Sequence, residues 1–206
     1  NFFDKRARYP RFKSKRSRQS IRYPQPKVGW IRSEGRRIYL PKVGEVRLVM
    51  HRPLEGKMKN VTVSRTKSGK YFASIQVEVE IPEPVQVGGR VGIDLGVRDF
   101  ISLSTGEKVE MPQYYRKAER KRRRLARQLS RKKKGSRNRE EARHRLACLD
   151  ERIANQRRDF HHKLSRQLVE ENQFIGMEDL NVRGMMANHC LATSGGDAGG
   201  AAFAGM

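Results

Sequence analysis

The sequence predicts an α+β fold, in which a small antiparallel β-barrel or sheet precedes a second unit of strands and long helices. Apolar and polar residues alternate in the first half, most clearly over 71–81, as in strands with one solvated face. Over 113–171 the apolar residues recur instead at helical spacing among many Lys and Arg. Two short apolar segments, 91–93 and 173–177, flank this helical span, and each ends in a carboxylate.

The first unit, residues 1–88, is expected to combine a basic arm with the β-structure. Residues 58–66 and 71–81 form the clearest predicted hairpin, because both alternate in hydrophobicity. The Lys67–Lys70 segment between them has the composition of a tight turn. The boundary with the second unit is marked by Pro82, Pro84, Gly88 and Gly89.

Basic and aromatic residues are interleaved in the arm at residues 1–35. Cations of this kind can hold phosphates, and aromatic faces can stack on unpaired bases. A basic arm whose aromatic residues anchor it to the next domain is an equally compatible interpretation. The predicted nucleic-acid-binding cations of the arm are Arg11, Lys13, Lys15 and Arg16.

The second unit, residues 89–192, is expected to begin with a meander of three antiparallel strands, the first of which ends at Asp94. The later strand at 173–177 ends at Glu178. Two apolar strands that bring one carboxylate each to a common edge are suited to Mg²⁺, which prefers oxygen ligands. Beside a strong positive field, such a pair indicates metal-dependent phosphodiester chemistry. Capping or simple strand-end polarity remains the alternative for each carboxylate taken singly.

A helical hairpin is predicted over about 113–171. Pro112 suits the first turn of a helix that runs to residue 134, and Gly135 and Ser136 interrupt it. Ser136 can cap a second helix over 137–171. The first helix has a thin apolar stripe, Leu125 and Leu129. The second helix has a fuller stripe: Ala142, Leu146, Leu149, Ile153, Phe160, Leu164 and Leu168.

The charge of the chain favours a polyanionic partner, since 46 Lys and Arg face 22 acidic residues and the net charge is +24. Between Arg116 and Arg145 there are 16 cations and three acids. A solvated charged surface is the bland alternative, but such a density of like charges is self-repelling without an anion. The predicted nucleic-acid-binding cations of the hairpin are Arg122, Arg123, Arg124, Arg127, Arg131, Lys132, Lys133, Lys134 and Arg137.

Several other classes of protein are disfavoured. No run of about 18 apolar residues predicts a membrane span, and no secretory signal opens the chain. Cys148 and Cys190 fit no C-x-x-C pattern, which argues for a reducing cytoplasm and against a zinc ribbon. His161 and His162 are adjacent on a predicted helix and point in different directions, so they do not predict a metal site.

Several collinear motifs resemble those of the OrfB/TnpB proteins of bacterial insertion sequences, which are relatives of the type V CRISPR nucleases. The resemblance runs in order over about residues 10–192. Its motifs are Phe12–Ser17, Arg37–Lys42, Gly92–Gly96, Leu129–Lys132, Ile153–His161 and Glu178–Val182.

This resemblance implies a wedge-like domain at 1–88 and a RuvC-type, RNase H-like nuclease domain after it, with the helical hairpin beside the nucleic-acid channel. It also implies a guide RNA derived from the end of the element, a DNA target, Mg²⁺ as cofactor and a place at the bacterial nucleoid in the cytoplasm. Asp94 and Glu178 match the first catalytic aspartate and the catalytic glutamate of the family.

Two features that the resemblance leads us to expect are missing, namely a C-x-x-C zinc ribbon and a third catalytic aspartate. The tail at 193–206 is rich in Gly and Ala, with Phe203 as its one anchor, and Asp197 in it has no strand to position it. We therefore expect a partial RuvC domain in an internal fragment or decayed copy, with weak or absent Mg²⁺ binding, no nuclease activity, and exposed apolar surface around Ile93, Phe174 and Ile175.

A nuclease-dead RNA- or DNA-binding protein is the alternative. A ribosome-associated basic protein is disfavoured, since the two carboxylate strands would then be accidental.

Overall fold

The computed structural model describes residues 17, 19–26, 29–32, 36–80, 88–96, 99–178 and 203. The chain divides into two compact units, Asn1–Glu83 and Pro84–Met206. The described strands are β1 (Gln19–Tyr23), β2 (Ile31–Arg32), β3 (Arg37–Leu40), β4 (Gly44–Arg47), β5 (Lys57–Arg65), β6 (Tyr71–Glu78), β7 (Arg90–Leu95), β8 (Asp99–Leu103), β9 (Lys108–Glu110) and β10 (Phe174–Met177). The helices are α1 (Tyr114–Ser130) and α2 (Arg137–Glu171).

The first unit contains two antiparallel sheets of three strands, with the orders β1-β5-β6 and β2-β3-β4. The predicted antiparallel sheet is therefore confirmed, whereas the predicted barrel is wrong, because no closed barrel forms among the described strands. Strands β2, β3 and β4 are only two to four residues long. Closure of a barrel requires one continuous, staggered set of paired strands, whereas these strands pair in two separate sheets.

The core of the first unit joins the two sheets. Ile38 and Leu40 alternate with exposed residues along β3 and pack with Trp30 and Val61, all of them buried. The predicted hairpin is present as β5 and β6, and Gly69 in its turn has a φ of 83°, which glycine adopts without strain.

The sheet of the second unit has the order β10-β7-β8-β9. Strands β7, β8 and β9 form the predicted antiparallel meander, and β10 adds to β7 in parallel. One face of this sheet packs against α2. The core there consists of Val91, Ile93, Phe100, Ile101, Leu164, Leu168 and Phe203.

The expectation of exposed apolar surface is correct for two residues and wrong for one. Phe174 and Ile175 are 59% and 41% exposed, whereas Ile93 is only 6% exposed. Alternation along β7 places Ile93 on the face that α2 covers, together with Val91.

Helix α1 is shorter at both ends than predicted. Pro112 precedes the helix, because the chain first passes through a left-handed residue, Gln113, with a φ of 52°. At the other end the chain leaves the helix at Arg131, where the Arg139 guanidinium donates hydrogen bonds to the carbonyl oxygens of Leu129 and Lys132, at 2.8 and 2.7 Å. The Leu129 carbonyl lies in the last turn of the helix, where carbonyl groups lack an i+4 partner, and it also accepts a hydrogen bond from the Lys132 amide at 3.3 Å.

Helix α2 has the predicted bounds and the predicted cap, since the Ser136 hydroxyl accepts a hydrogen bond from the Arg139 amide. Its predicted apolar stripe is buried or half-buried throughout. His161, which no apolar pattern indicated, is also buried and stacks on Phe100 with a centroid distance of 5.2 Å. Within the described residues, neither helix is long and apolar enough to cross a membrane.

Several expectations concern residues outside the described ranges. They are the cations Arg11, Lys13, Lys15 and Arg16 of the arm, and most of the tail, including Asp197.

Candidate active site and nucleic-acid interface

The carboxylates of Asp94 and Glu178 follow directly on a matched pair of residues in neighbouring parallel strands. Ile93 of β7 is in register with Met177 of β10, and each carboxylate is the next residue along its chain. Residues at the same register position of a parallel pair project to the same face, about 4.8 Å apart at the backbone. The structure thus brings these two sequence-predicted residues together on the face of the sheet that α2 does not cover.

Both carboxylates line one open cleft of about 480 Å³. Gly92 and Gly176 are also in register, two residues before the carboxylates, so bare backbone forms the floor beside them. Both carboxylates are exposed to solvent. The cleft is lined by Gly92, Ile93, Asp94, Ser102, Leu103, Ser104, Gly176, Met177 and Glu178.

Two serines of this cleft were not singled out by the sequence. Ser102 of β8 pairs directly with Asp94. The Ser104 hydroxyl accepts a hydrogen bond from the Gly92 amide at 2.9 Å, and the Ser104 amide donates to the Gly92 carbonyl oxygen at 2.9 Å. Ser104 therefore fixes the floor of the cleft. The alternation of apolar and polar residues over 101–104 is the signal that could have identified Ser102.

The donor set fits Mg²⁺ that keeps most of its own waters. Two exposed carboxylates on one face are the protein contribution that Mg²⁺ commonly has where substrate phosphates supply further oxygen ligands. No group of three or more His, Cys, Asp or Glu is arranged to hold a metal among the described residues. Asp99 does not join the pair, because it does not line the cleft and contacts Lys108 at 3.9 Å.

The predicted cations of the hairpin divide into paired and unpaired residues. The Arg122 guanidinium donates to the Asp150 carboxylate of α2 at 2.7 Å and lies 5.7 Å from the centre of the Tyr115 ring. The hydrogen bond to Asp150 raises the pKa of Arg122. On the helix surface, Arg123 pairs with Glu119 at 2.7 Å, and Arg137 contacts Glu141 at 3.6 Å.

The six other predicted cations of the hairpin make no ion pair with a carboxylate in the described part of the chain. Arg131 and Lys132 line a groove of about 430 Å³ at the end of the hairpin, together with Arg145, which the sequence did not single out. The six cations are Arg124, Arg127, Arg131, Lys132, Lys133 and Lys134.

A family model and two known proteins match this chain. The family model OrfB_IS605, described as "Probable transposase", matches residues 74–189, a range that contains both carboxylates and the whole hairpin. A protein of Streptomyces pristinaespiralis named "Putative RNA-guided DNA endonuclease" is 41% identical over 202 residues, which cover 96% of this chain and 50% of that protein.

A second relative, "Putative RNA-guided DNA endonuclease InsQ" of Escherichia coli K12, is 41% identical over 186 residues, 90% of this chain and 46% of that protein. The chain spans about half the length of the curated relatives that it matches. The family match and the identity over almost the whole chain establish that the protein is a member of the OrfB/TnpB family of insertion-sequence proteins.

Proposed function

We propose that the chain carries part of the catalytic centre and part of the nucleic-acid interface of an RNA-guided, metal-dependent DNA endonuclease of a transposon. The observation that carries this proposal is the pair Asp94 and Glu178, at matched ends of β7 and β10 in one open cleft. The names of both relatives support the same activity. The partners are a guide RNA from the end of the element and a target DNA at the nucleoid.

The sheet supports a RuvC-type, RNase H-like assignment of the second unit. Three antiparallel strands are followed, after the hairpin, by a strand that adds in parallel to the first of them. This topology places Asp94 and Glu178, which are 84 residues apart in sequence, next to each other. It therefore explains why the two carboxylate segments flank the helical span.

Asp94 and Glu178 are the residues that would hold Mg²⁺. When bound, the metal supplies charge neutralisation at the phosphate and lowers the pKa of a bound water. The chain itself contributes two carboxylates to bind the ion and an unobstructed floor, at Gly92 and Gly176, over which a phosphodiester backbone can approach. Ser104 holds that floor in place through its two hydrogen bonds to Gly92.

We further propose that this chain alone binds nucleic acid without cutting it. Two carboxylates hold Mg²⁺ weakly, since the ion gives up its waters reluctantly. Nucleic-acid binding requires only the cations of the hairpin, and seven of the nine predicted ones are exposed, whereas Arg122 and Lys132 are half-buried. A nuclease-dead binding protein is thus the second candidate function, favoured by the absence of a third metal-binding group among the described residues.

A cleavage assay separates the two candidates. The purified chain is incubated with labelled single- and double-stranded DNA, with RNA from the element end, and with or without Mg²⁺, alongside Asp94→Ala. We expect binding that is independent of Asp94 and no cutting. Mg²⁺-dependent cutting that is lost in Asp94→Ala would show instead that the chain has a complete nuclease site.

A further inference from the structure

Five cations form a single stripe along the outer face of α1. Lys117, Arg120, Arg124, Arg127 and Arg131 are separated by three, four, three and four residues, the spacing that places helical residues one above another. Four of them lie within α1, and Arg131 is its C-terminal cap. At 1.5 Å per residue the stripe is about 21 Å long, with one cation every ~5 Å.

The stripe differs from three exposed cations of α2, whose charges neighbouring carboxylates balance. On α2, Lys163 contacts Asp159 at 2.8 Å and Arg166 contacts Glu170 at 2.7 Å. Arg143 likewise pairs with Glu140 one helical turn away. None of the five stripe cations contacts a carboxylate in the described part of the chain.

This imbalance has an energetic consequence. Like charges at i, i+4 destabilise a helix, so the repulsion along the stripe opposes the helix that carries it. An anion with regularly spaced charges would remove that repulsion along the whole length of the stripe. On α2, the carboxylates of Glu140, Asp159 and Glu170 already offset the charge of the cations that they contact.

Side-chain contacts with α2 hold the helix that carries the stripe. Arg122 and Asp150 join α1 to α2 near the middle of α1, and Arg139 of α2 binds two carbonyl oxygens at the end of α1. These contacts hold the backbone of α1, and with it the stripe, in one position on α2. Cations on a fixed helix lose less conformational freedom on binding than cations on a mobile loop would.

We propose that this stripe binds the phosphate backbone of a double-stranded nucleic acid, and that the paired cations of α2 do not. The proposal rests on the nucleic-acid binding proposed above and assigns it to one helix face, including Lys117 and Arg120, which the sequence motifs did not indicate. Proteins that hold single strands stack the bases on aromatic side chains. The aromatic residues of α1 are turned inward, since Tyr114 contacts Phe160 and Tyr115 contacts Arg122.

Two charge-matched triple variants test the assignment. The stripe variant is Arg120→Gln, Arg124→Gln and Arg127→Gln. The control variant is Arg143→Gln, Lys163→Gln and Arg166→Gln, which lowers the net charge by the same three units at exposed positions. Binding of a 20-base-pair DNA duplex and of the corresponding single strand is measured by fluorescence anisotropy between 50 and 200 mM salt, and thermal melting of each variant checks its folding.

The slope of log K against log salt is the decisive quantity, because it falls by about 0.9 for each lost contact with a duplex phosphate. We expect the stripe variant to lose about 2–3 units of slope with the duplex and the control variant less than about 1 unit. Equal losses in both variants would overturn the assignment to the stripe and leave nucleic-acid binding intact. An equal or larger loss with the single strand would overturn the preference for a double helix, and salt-independent binding by the unmodified chain would overturn the proposed function as well.

Discussion

Arg122 of α1 and Asp150 of α2 form an ion pair across the helical hairpin, with a distance of 2.7 Å between Nε and Oδ1. The two side chains are 37% and 43% exposed, so solvent screens the pair. Arg122 is thus a positioning residue within a cluster of cations that otherwise face solvent. Charge density along the sequence cannot make this distinction, because the partner lies 28 residues away.

A double-mutant cycle on Arg122 and Asp150 measures what this pair contributes. We expect Arg122→Gln and Asp150→Asn each to lower the free energy of unfolding by at most about 1 kcal/mol, with a coupling energy of ~0.5 kcal/mol in urea unfolding. We also expect Arg122→Gln to change the salt slope of DNA binding less than Arg124→Gln does. A loss of salt slope in Arg122→Gln as large as that in Arg124→Gln would contradict the positioning role.

Substitution of Arg139 should loosen the end of α1 selectively. Its guanidinium satisfies two carbonyl oxygens there, and hydrogen bonds to charged groups contribute about 1.5–3 kcal/mol each when they are well shielded. Because these bonds are only partly buried, we expect Arg139→Met to cost about 1–3 kcal/mol in total. Hydrogen exchange should quicken in the last turn of α1 and not near Leu164 in α2. Arg139→Lys keeps the charge on a side chain of different shape, so its exchange rate should lie between those of the unmodified chain and Arg139→Met. Unchanged exchange in Arg139→Met would refute the cap.

Phe203 should stabilise the second unit although it belongs to a Gly- and Ala-rich segment. It is 6% exposed, and its ring centre lies 5.2 Å from that of Phe100 and 5.7 Å from that of His161. Removal of a buried Phe side chain costs about 3–5 kcal/mol, so we expect Phe203→Ala to lower the unfolding free energy by at least ~3 kcal/mol. Phe203→Leu, which keeps most of the volume, should cost less than half as much. A loss below about 1 kcal/mol for Phe203→Ala would mean that the segment does not anchor to this core.

Strand β10 should cause self-association of the purified chain. It lies at one edge of the described sheet, and Phe174 and Ile175 are both exposed. An exposed apolar edge strand is a site of intermolecular pairing. We expect sedimentation velocity to detect concentration-dependent association that Phe174→Ser with Ile175→Thr reduces. Val169→Thr is the matched control, because Val169 is 62% exposed on α2, away from the edge. A chain that is monomeric and melts cooperatively without these substitutions would contradict the expectation.

Local patterns in the sequence predicted much of the fold. The β7-β8-β9 meander, the Ser136 cap and the bounds of α2 all follow from alternation, helical spacing and turn residues close together in the chain. The same patterns predicted that Asp94 and Glu178 follow apolar strands.

What the sequence missed depends on contacts between distant residues. The first unit forms two sheets and not a barrel because of which strand edges pair, and period-two alternation is the same in both cases. The burial of His161 depends on Phe100, 61 positions earlier, and the pairing of Arg122 depends on Asp150. Ser102 lines the cleft because the register of β7 and β8 places it opposite Asp94.

Mn²⁺ binding, measured by electron paramagnetic resonance, determines whether Asp94 and Glu178 form one divalent-metal site. Asp94→Asn, Glu178→Gln, the double variant and the control Asp99→Asn are titrated with Mn²⁺, which has the same preference for oxygen ligands as Mg²⁺. We expect weak Mn²⁺ binding by the unmodified chain and by Asp99→Asn. We also expect a loss of at least about tenfold, or ~1.4 kcal/mol, in each single variant, with little further loss in the double variant. Equal Mn²⁺ affinity in the unmodified chain and in either single variant would contradict a shared site.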